Sequence, residues 1–288
     1  MTNLWRATTS SGERLMAAVA EAPDKTLMAF DFDGTLAAMQ TDPEKSHLYP
    51  PTAEALARIG GCLGQLAIIT GRGVKTVLRL GELSGREGFE KALVFGAYGV
   101  EVWDATTNEF DLPPSPIAVR HAIDDLENML ADAHDDGFDT TGITLEDKQR
   151  AVGVHYRRSP DPDTAERWLQ GPVAIIAERH GLELEPGRLI IELRASTTTK
   201  GDALRDLVDM VDPEVVIFFG DDLGDVPAFQ ASRAFGESLI AGNVVAASDE
   251  ALDVLQYADV LCEGPAGIAA WLTELADLMD ARAAGASS

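Results

Sequence analysis

Short, uninterrupted apolar runs recur along the chain, separated by stretches with helical spacing. TLMAF at 26–30, QLAIIT at 65–70, ALVFGAYGVEVW at 92–103, EVVIFFG at 214–220 and ADVLC at 258–262 have the continuity of strands buried on both faces. Helical patterns near Thr52–Ile59 and Lys75–Leu80 fall between the first of them. An amphipathic pattern near Gly264–Met279 follows the last, and ARAAGASS after it reads as a frayed tail. Strand–helix alternation with continuous apolar strands predicts an α/β fold whose core is a doubly wound, Rossmann-like parallel sheet.

The middle of the chain has another rhythm. TTNEFDLPPSP at 106–116 reads as a Pro-rich linker. Ile117, Ile123, Leu126, Leu130 and Ala133 then form a helical stripe that stops at Gly137. RAVGVHYRR at 150–158 alternates, with Val152, Val154 and Tyr156 on one face and Gly153, His155 and Arg157 on the other. A second helix spans roughly Asp163–Arg179, with Gly171-Pro172 as a potential break. RLIIELR at 188–194 alternates again and sets Glu192 and Arg194 opposite Leu189, Ile191 and Leu193. Alternation implies an antiparallel sheet with one face buried. The expected organisation is a core of residues 1–109 and 196–288 interrupted by an inserted α+β cap over 110–195.

Composition narrows the partners. The chain has 288 residues, 45% of them hydrophobic, enough for two domains. Lys and Arg number 23 against 48 Asp and Glu, a net charge of −25, which argues against nucleic acid or an anionic membrane as partner. Cys62 and Cys262 lie far apart and show no disulfide or metal spacing, so a reduced, cytoplasmic setting with both thiols in the core is expected. Glu13, Glu21 and Asp24 interrupt any apolar leader, and no apolar run is long enough for a membrane span.

The first strand runs into DFDGTLA. Ligands of open α/β sheets bind beyond the carboxyl ends of the strands, where Asp31 and Asp33 share a parity and face one crevice. Two close carboxylates repel, and a divalent cation would offset that repulsion. Gly34 and Thr35 suit a tight turn with N–H groups open to an anion.

These residues resemble the first motif of the haloacid dehalogenase-like phosphohydrolases, D-x-D-G-T, and the resemblance continues along nearly the whole chain. Thr70 in AIITGR matches the second motif, Lys200 in TTTKGDAL the third, and FFGDDLGD, with Asp221, Asp222 and Asp225, the fourth. The resemblance implies catalysis by Asp31, Asp33, Thr70 and Lys200. Asp31 would be the nucleophile that forms an aspartyl-phosphate, and Asp33 the acid and base. Thr70 and Lys200 would hold the phosphoryl oxygens. Mg²⁺ would be held by Asp31, Asp33, through its backbone carbonyl, and Asp221, with Asp222 beside it.

Finer features resemble the trehalose-6-phosphate phosphatases. These are D-P after the first motif, FGAYGVE with Tyr98 where His is usual, EDKQRAVGVHYR, and GDDLGDVPAF with Gly224 and Val226 where Thr and Glu are usual. That resemblance implies trehalose 6-phosphate as substrate and a trehalose-6-phosphate synthase as pathway partner. Arg72, Glu101, Lys148, His155, Arg157 and Glu192 are the candidate substrate-binding residues. Phosphatases of sucrose phosphate or mannosyl-phosphoglycerate, a phosphomannomutase, and a catalytically silent regulatory module remain the alternatives.

Overall fold

The computed structural model describes residues 4–40, 42–135, 137–187, 189–236, 238–247 and 252–286. The chain forms two compact units, Met1–Leu112 with Thr198–Ser288, and Pro113–Thr197.

The first unit begins with β1 (Trp5–Ala7), α1 (Ser10–Glu21), β2 (Thr26–Phe30), α2 (Pro50–Ile59), β3 (Gln65–Ile69), α3 (Val74–Gly81) and strands β4 (Leu93–Gly96), β5 (Glu101–Asp104) and β6 (Glu109–Asp111). The second unit holds α4 (Ile117–Asp135), β7 (Thr144–Asp147), β8 (Ala151–His155), α5 (Pro162–His180), β9 (Glu183–Gly187) and β10 (Ile190–Arg194). The chain then returns through α6 (Lys200–Val211), β11 (Val215–Gly220), α7 (Val226–Phe235), β12 (Ile240–Ala247), β13 (Val260–Glu263) and α8 (Gly264–Ala286).

The core sheet has the order β1-β13-β12-β11-β2-β3-β4-β5-β6. Strands β13 through β4 are parallel, and β1, β5 and β6 join antiparallel at the edges. Every residue of β2 and β11 is buried, as their unbroken apolar runs require. Met28, Phe30, Ile217 and Phe219 point to the face covered by α1, α2 and α8. Leu27, Ala29, Val216 and Phe218 point to the face that carries Leu204 and Leu207 of α6 and Phe229 of α7. Phe30 and Phe219 stack across adjacent strands with centroids 4.2 Å apart.

The cap sheet, β7-β8-β10-β9, is antiparallel throughout. Val152, Val154, Tyr156, Ile191 and Leu193 face the cap core with Val119, Ala122 and Leu126 of α4 and Leu169, Val173 and Ile176 of α5. Glu146, Gly153, Glu192 and Glu185 form one row across the four strands.

Several local expectations differ from the structure. The run at 92–103 is a hairpin, because Ala97, Tyr98 and Gly99 adopt φ of 48°, 62° and 105° and turn the chain back on itself. The stretch read as a linker from 106 supplies β6, which pairs with β5 before the prolines begin. Pro172 lies inside an unbroken α5, since Leu169, Val173 and Ile176 on both sides of it are anchored in the cap core. In α4 the buried face is Val119, Ala122, Leu126 and Ala133, while Ile117 is exposed. Helix α8 continues to Ala286 rather than fraying after Met279. Cys262 is buried but Cys62 is exposed.

Candidate active site

Asp31, Thr70 and Asp221 immediately follow the carboxyl ends of β2, β3 and β11, three neighbouring parallel strands. All three are buried. The Asp31 N–H still donates to the Phe219 carbonyl at 2.8 Å, so the sheet holds its backbone in place. The Thr70 N–H likewise donates to the Phe95 carbonyl at 2.9 Å. The next turn is tight: Gly34 has φ +78°, and a Cβ there would come within 2.5 Å of the Asp221 carboxylate. Thr35 Oγ1 donates to Asp221 Oδ1 at 3.3 Å.

Lys200 enters from α6. Thr199 caps this helix and forms a capping box with Asp202, which fixes Lys200 as its first residue. An ammonium group opposes the helix dipole at that end. Here it is offset by carboxylates: Nζ lies 2.7 Å from Asp31 Oδ1 and 2.7 Å from Asp225 Oδ1. Asp225 is fully buried, and its Oδ2 accepts from the Asp221 and Asp222 N–H groups at 2.8 and 3.1 Å. It therefore holds both the lysine and the acidic turn in place. An Asp four residues beyond another in an acidic chain resembles a surface charge, so its motif position is the one signal of it in the sequence.

Among the described residues, Asp31, Asp221 and Asp225 offer carboxylate oxygens within 4.8 Å of one another. Burial first, then neighbouring carboxylates against the pull of Lys200, hold the Asp31 carboxyl well above its ordinary range. Burial, then Asp222 and Asp31, do the same for Asp221. Burial opposes the charge on Lys200, but Asp225 and Asp31 prevail and raise it well above its usual value. Asp31, Asp221 and Asp225, with Asp222 beside them, thus outnumber the single ammonium of Lys200, and the group carries excess negative charge in a largely buried place. Hard carboxylate oxygens with that excess fit a small divalent cation. Asp225 is already committed to Lys200 and two backbone N–H groups, so Asp31 and Asp221 are the side chains left to bind it. Asp222 is exposed on the solvent side of the turn.

Asp33 stands past the strand end, half-buried, and its carboxylate turns to Arg72. Nε donates to Oδ2 at 2.5 Å and Nη2 to Oδ1 at 2.7 Å, a bidentate pair. The Arg72 N–H donates to Thr70 Oγ1 at 3.2 Å. Glu101 is buried beneath this loop, its Oε2 accepting the Val74 N–H at 2.8 Å at the start of α3. Gly73, the residue before α3, has no side chain to do this, so Glu101 supplies the missing cap from β5. Tyr98 lies against Gly71, where a Cβ would be 2.9 Å from its Cζ.

In the cap, Lys148 Nζ pairs with Glu192 and lies 3.8 Å from Glu146. His155 Nε2 and Glu146 Oε2 are 2.8 Å apart. Arg194 Nη1 donates to Glu185 at 3.0 Å. Gly153 lies between Glu146 and Glu192 in the strand row without a side chain. Arg157 is exposed beyond the end of β8.

A parallel sheet with acidic strand ends, a lysine at a following helix start and an inserted α+β unit defines a haloacid dehalogenase-like core with a cap. A haloacid dehalogenase-like hydrolase from Bacteroides thetaiotaomicron shares this fold, with a TM-score of 0.57 at 14% identity over 87% of this chain and 99% of that one. The C-terminal domain of trehalose-6-phosphate phosphatase from C. albicans superposes with a TM-score of 0.74 at 20% identity, covering 94% of this chain and 98% of that one. A family model described as trehalose-phosphatase matches residues 29–254. The trehalose-phosphate phosphatase of Mycobacterium marinum is 31% identical over 221 residues, 73% of this chain and 52% of that protein. The chain belongs to the trehalose-phosphatase family. It spans about half the length of the curated relatives it matches. Among the described residues no helix is long and apolar enough to cross a membrane.

Proposed function

We propose that the protein is a Mg²⁺-dependent phosphatase that converts trehalose 6-phosphate to trehalose and phosphate through an aspartyl-phosphate on Asp31. The observation that carries this reading is the buried group in which Lys200 Nζ lies 2.7 Å from Asp31 Oδ1 beside Asp221. Asp31 attacks phosphorus through a carboxylate oxygen, and the bond to the sugar oxygen breaks. Asp33, once it leaves Arg72 and takes up a proton, delivers that proton to the sugar oxygen, and the carboxylate so formed later takes one from the water that cleaves the acyl phosphate. Thr70 and Lys200 hold the phosphoryl oxygens. Mg²⁺ would be held by Asp31, the Asp33 carbonyl and Asp221, with Asp222 at the outer side, and supplies charge to the transferring phosphoryl group. Glu101 positions the Thr70–Arg72 loop through α3. Lys148, Glu192, His155 and Arg157 bind sugar hydroxyls and so select the substrate. A synthase supplying trehalose 6-phosphate is the pathway partner, in a cytoplasmic setting.

The test is phosphate release from trehalose 6-phosphate, sucrose 6-phosphate, glucose 6-phosphate and mannosyl-phosphoglycerate, with Mg²⁺ and with chelator. Turnover of trehalose 6-phosphate that chelator removes is the expected result. Preference for another sugar would move the specificity, and silence on all four would sink the enzymatic reading.

Two further outcomes are expected. Mg²⁺ at 100 times its Kd stabilises the protein by about 2.7 kcal/mol. Without the ion, Asp31 and Asp221 have folded pKa values above the ordinary 3.8. Their contribution to stability is then fully present below pH 3.8 and is lost as pH rises from there through the folded values. Melting curves across pH with Mg²⁺ or EDTA should diverge towards neutral pH; coincident curves would exclude an ion at this group. Lys148→Met should raise KM for trehalose 6-phosphate about tenfold, as loss of a charged hydrogen bond would. Turnover of p-nitrophenyl phosphate, which has no sugar to bind, should stay near wild type. An equal effect on both substrates would remove Lys148 from sugar recognition.

A further inference from the structure

The chain enters the cap through Pro113 and Pro114 and leaves it at Ala195–Thr197. Pro113 and Pro114 carry no N–H, so at these two residues only the carbonyls are available to hold the entering segment. Arg150 takes both of them: Nη1 donates to the Pro113 carbonyl at 2.7 Å and to the Pro114 carbonyl at 2.8 Å. Its own carbonyl accepts the Ala195 N–H at 3.0 Å, one residue beyond the last β8–β10 pair, Ala151 with Arg194. One residue thus holds the entering segment by its side chain and the leaving segment by its backbone. In a chain with 48 acidic residues, this guanidinium is held by two backbone carbonyls, and its Nε is buried with no hydrogen-bond partner among the described residues.

Arg150 also belongs to the turn that presents Lys148. Its N–H donates to the Lys148 carbonyl at 2.8 Å, and Asp147 Oδ1 accepts the Gln149 N–H at 2.7 Å. Gln149 adopts φ +67°, so the turn is tight and left-handed at its centre. Lys148 is therefore linked to both connecting segments through a few hydrogen bonds.

We propose that Arg150 is a positioning residue that ties the two connecting segments together and couples them to sugar engagement at Lys148. It touches no reacting atom. The kinetic part of this proposal rests on the functional reading given above; the tie between the segments does not.

The experiment compares wild type, Arg150→Met and Arg150→Lys, each first checked for cooperative melting. Steady-state kinetics are measured on trehalose 6-phosphate and p-nitrophenyl phosphate, and amide hydrogen exchange at Ala195. Arg150→Met should lower kcat/KM for trehalose 6-phosphate about tenfold, leave p-nitrophenyl phosphate within about twofold, and speed Ala195 exchange at least about tenfold. Arg150→Lys keeps a cation of similar reach and should recover part of each loss; it also serves as the test if Arg150→Met does not fold. Wild-type exchange at Ala195 in the variants, or equal losses on both substrates, would overturn the proposal. If wild type releases phosphate from no sugar phosphate, the functional reading fails, and Ala195 exchange alone decides the tie.

Discussion

Asp31→Asn should remove phosphate release from trehalose 6-phosphate by about 10⁴-fold or more, the scale reached when a nucleophile is deleted. The amide keeps the size of the side chain but cannot attack phosphorus. The same change should not unfold the protein. Asp31 is buried beside Asp221 and Asp225, and burial already holds its carboxyl well above its ordinary range. A neutral amide relieves repulsion there, at the loss of one of two partners of Lys200, which keeps Asp225 at 2.7 Å. Metal-free Asp31→Asn should therefore melt at or above the wild-type temperature near neutral pH, and Mg²⁺ should raise that temperature less than in wild type. Retained turnover would remove Asp31 as nucleophile. Lost turnover with lost fold would leave the nucleophile unproven, so a second reading is required: acid-quenched wild type should carry a phosphoryl group that Asp31→Asn does not.

How much of this was legible depends on where periodicity holds. Strands β2, β3 and β11 were readable because burial on both faces leaves an unbroken apolar run. Alternation in β8 and β10 gave the cap faces, and Val152, Val154 and Leu193 are fully buried as that pattern requires. The reading weakened where extended structure stops. Asp31 and Asp33 share a parity only while the chain stays extended, but β2 ends at Phe30. Asp31 joins the buried group, and the Asp33 carboxylate turns to Arg72 instead. The hairpin after β4 was hidden because Ala97 and Tyr98 take left-handed φ values that neither residue type announces.

Long-range partners were the least legible. Glu101 occupies a motif position, yet only the fold shows that its carboxylate accepts the Val74 N–H across 27 residues of sequence. Asp225 and Lys200 lie 25 residues apart, and nothing local distinguishes that acid from its solvent-exposed neighbour Asp222. The Arg72–Asp33 pair spans 39 residues. Motif spacing identifies which residues converge. The sheet order determines which of them touch, because β3, β2 and β11 are adjacent in space although β11 comes last of the three in the chain.

Lys200→Met should act on stability in the opposite direction to Asp31→Asn. Lys200 is buried between Asp31 and the fully buried Asp225, so its removal leaves carboxylates without a counter-charge. Breaking a buried pair by deleting one partner costs about 3–5 kcal/mol. The pH dependence separates this from a packing defect. In wild type the folded Lys200 pKa is raised above 10.5, so its contribution is fully present below pH 10.5 and is lost as pH rises through the folded value. In Lys200→Met, Asp31 and Asp221 lose the cation that pulls them down against burial, so the variant should lose stability as pH climbs from about 4 towards neutral. The deficit against wild type should therefore widen over that range, whereas a cavity left by a shorter side chain would cost the same at every pH. Denaturant unfolding of both proteins at several pH values measures the gap. A cost below about 1 kcal/mol that does not vary with pH would mean that Lys200 is not the counter-charge of this group. Opposite stability changes from an acid and a cation 2.7 Å apart would show that charge, and not packing, sets the stability of this buried group.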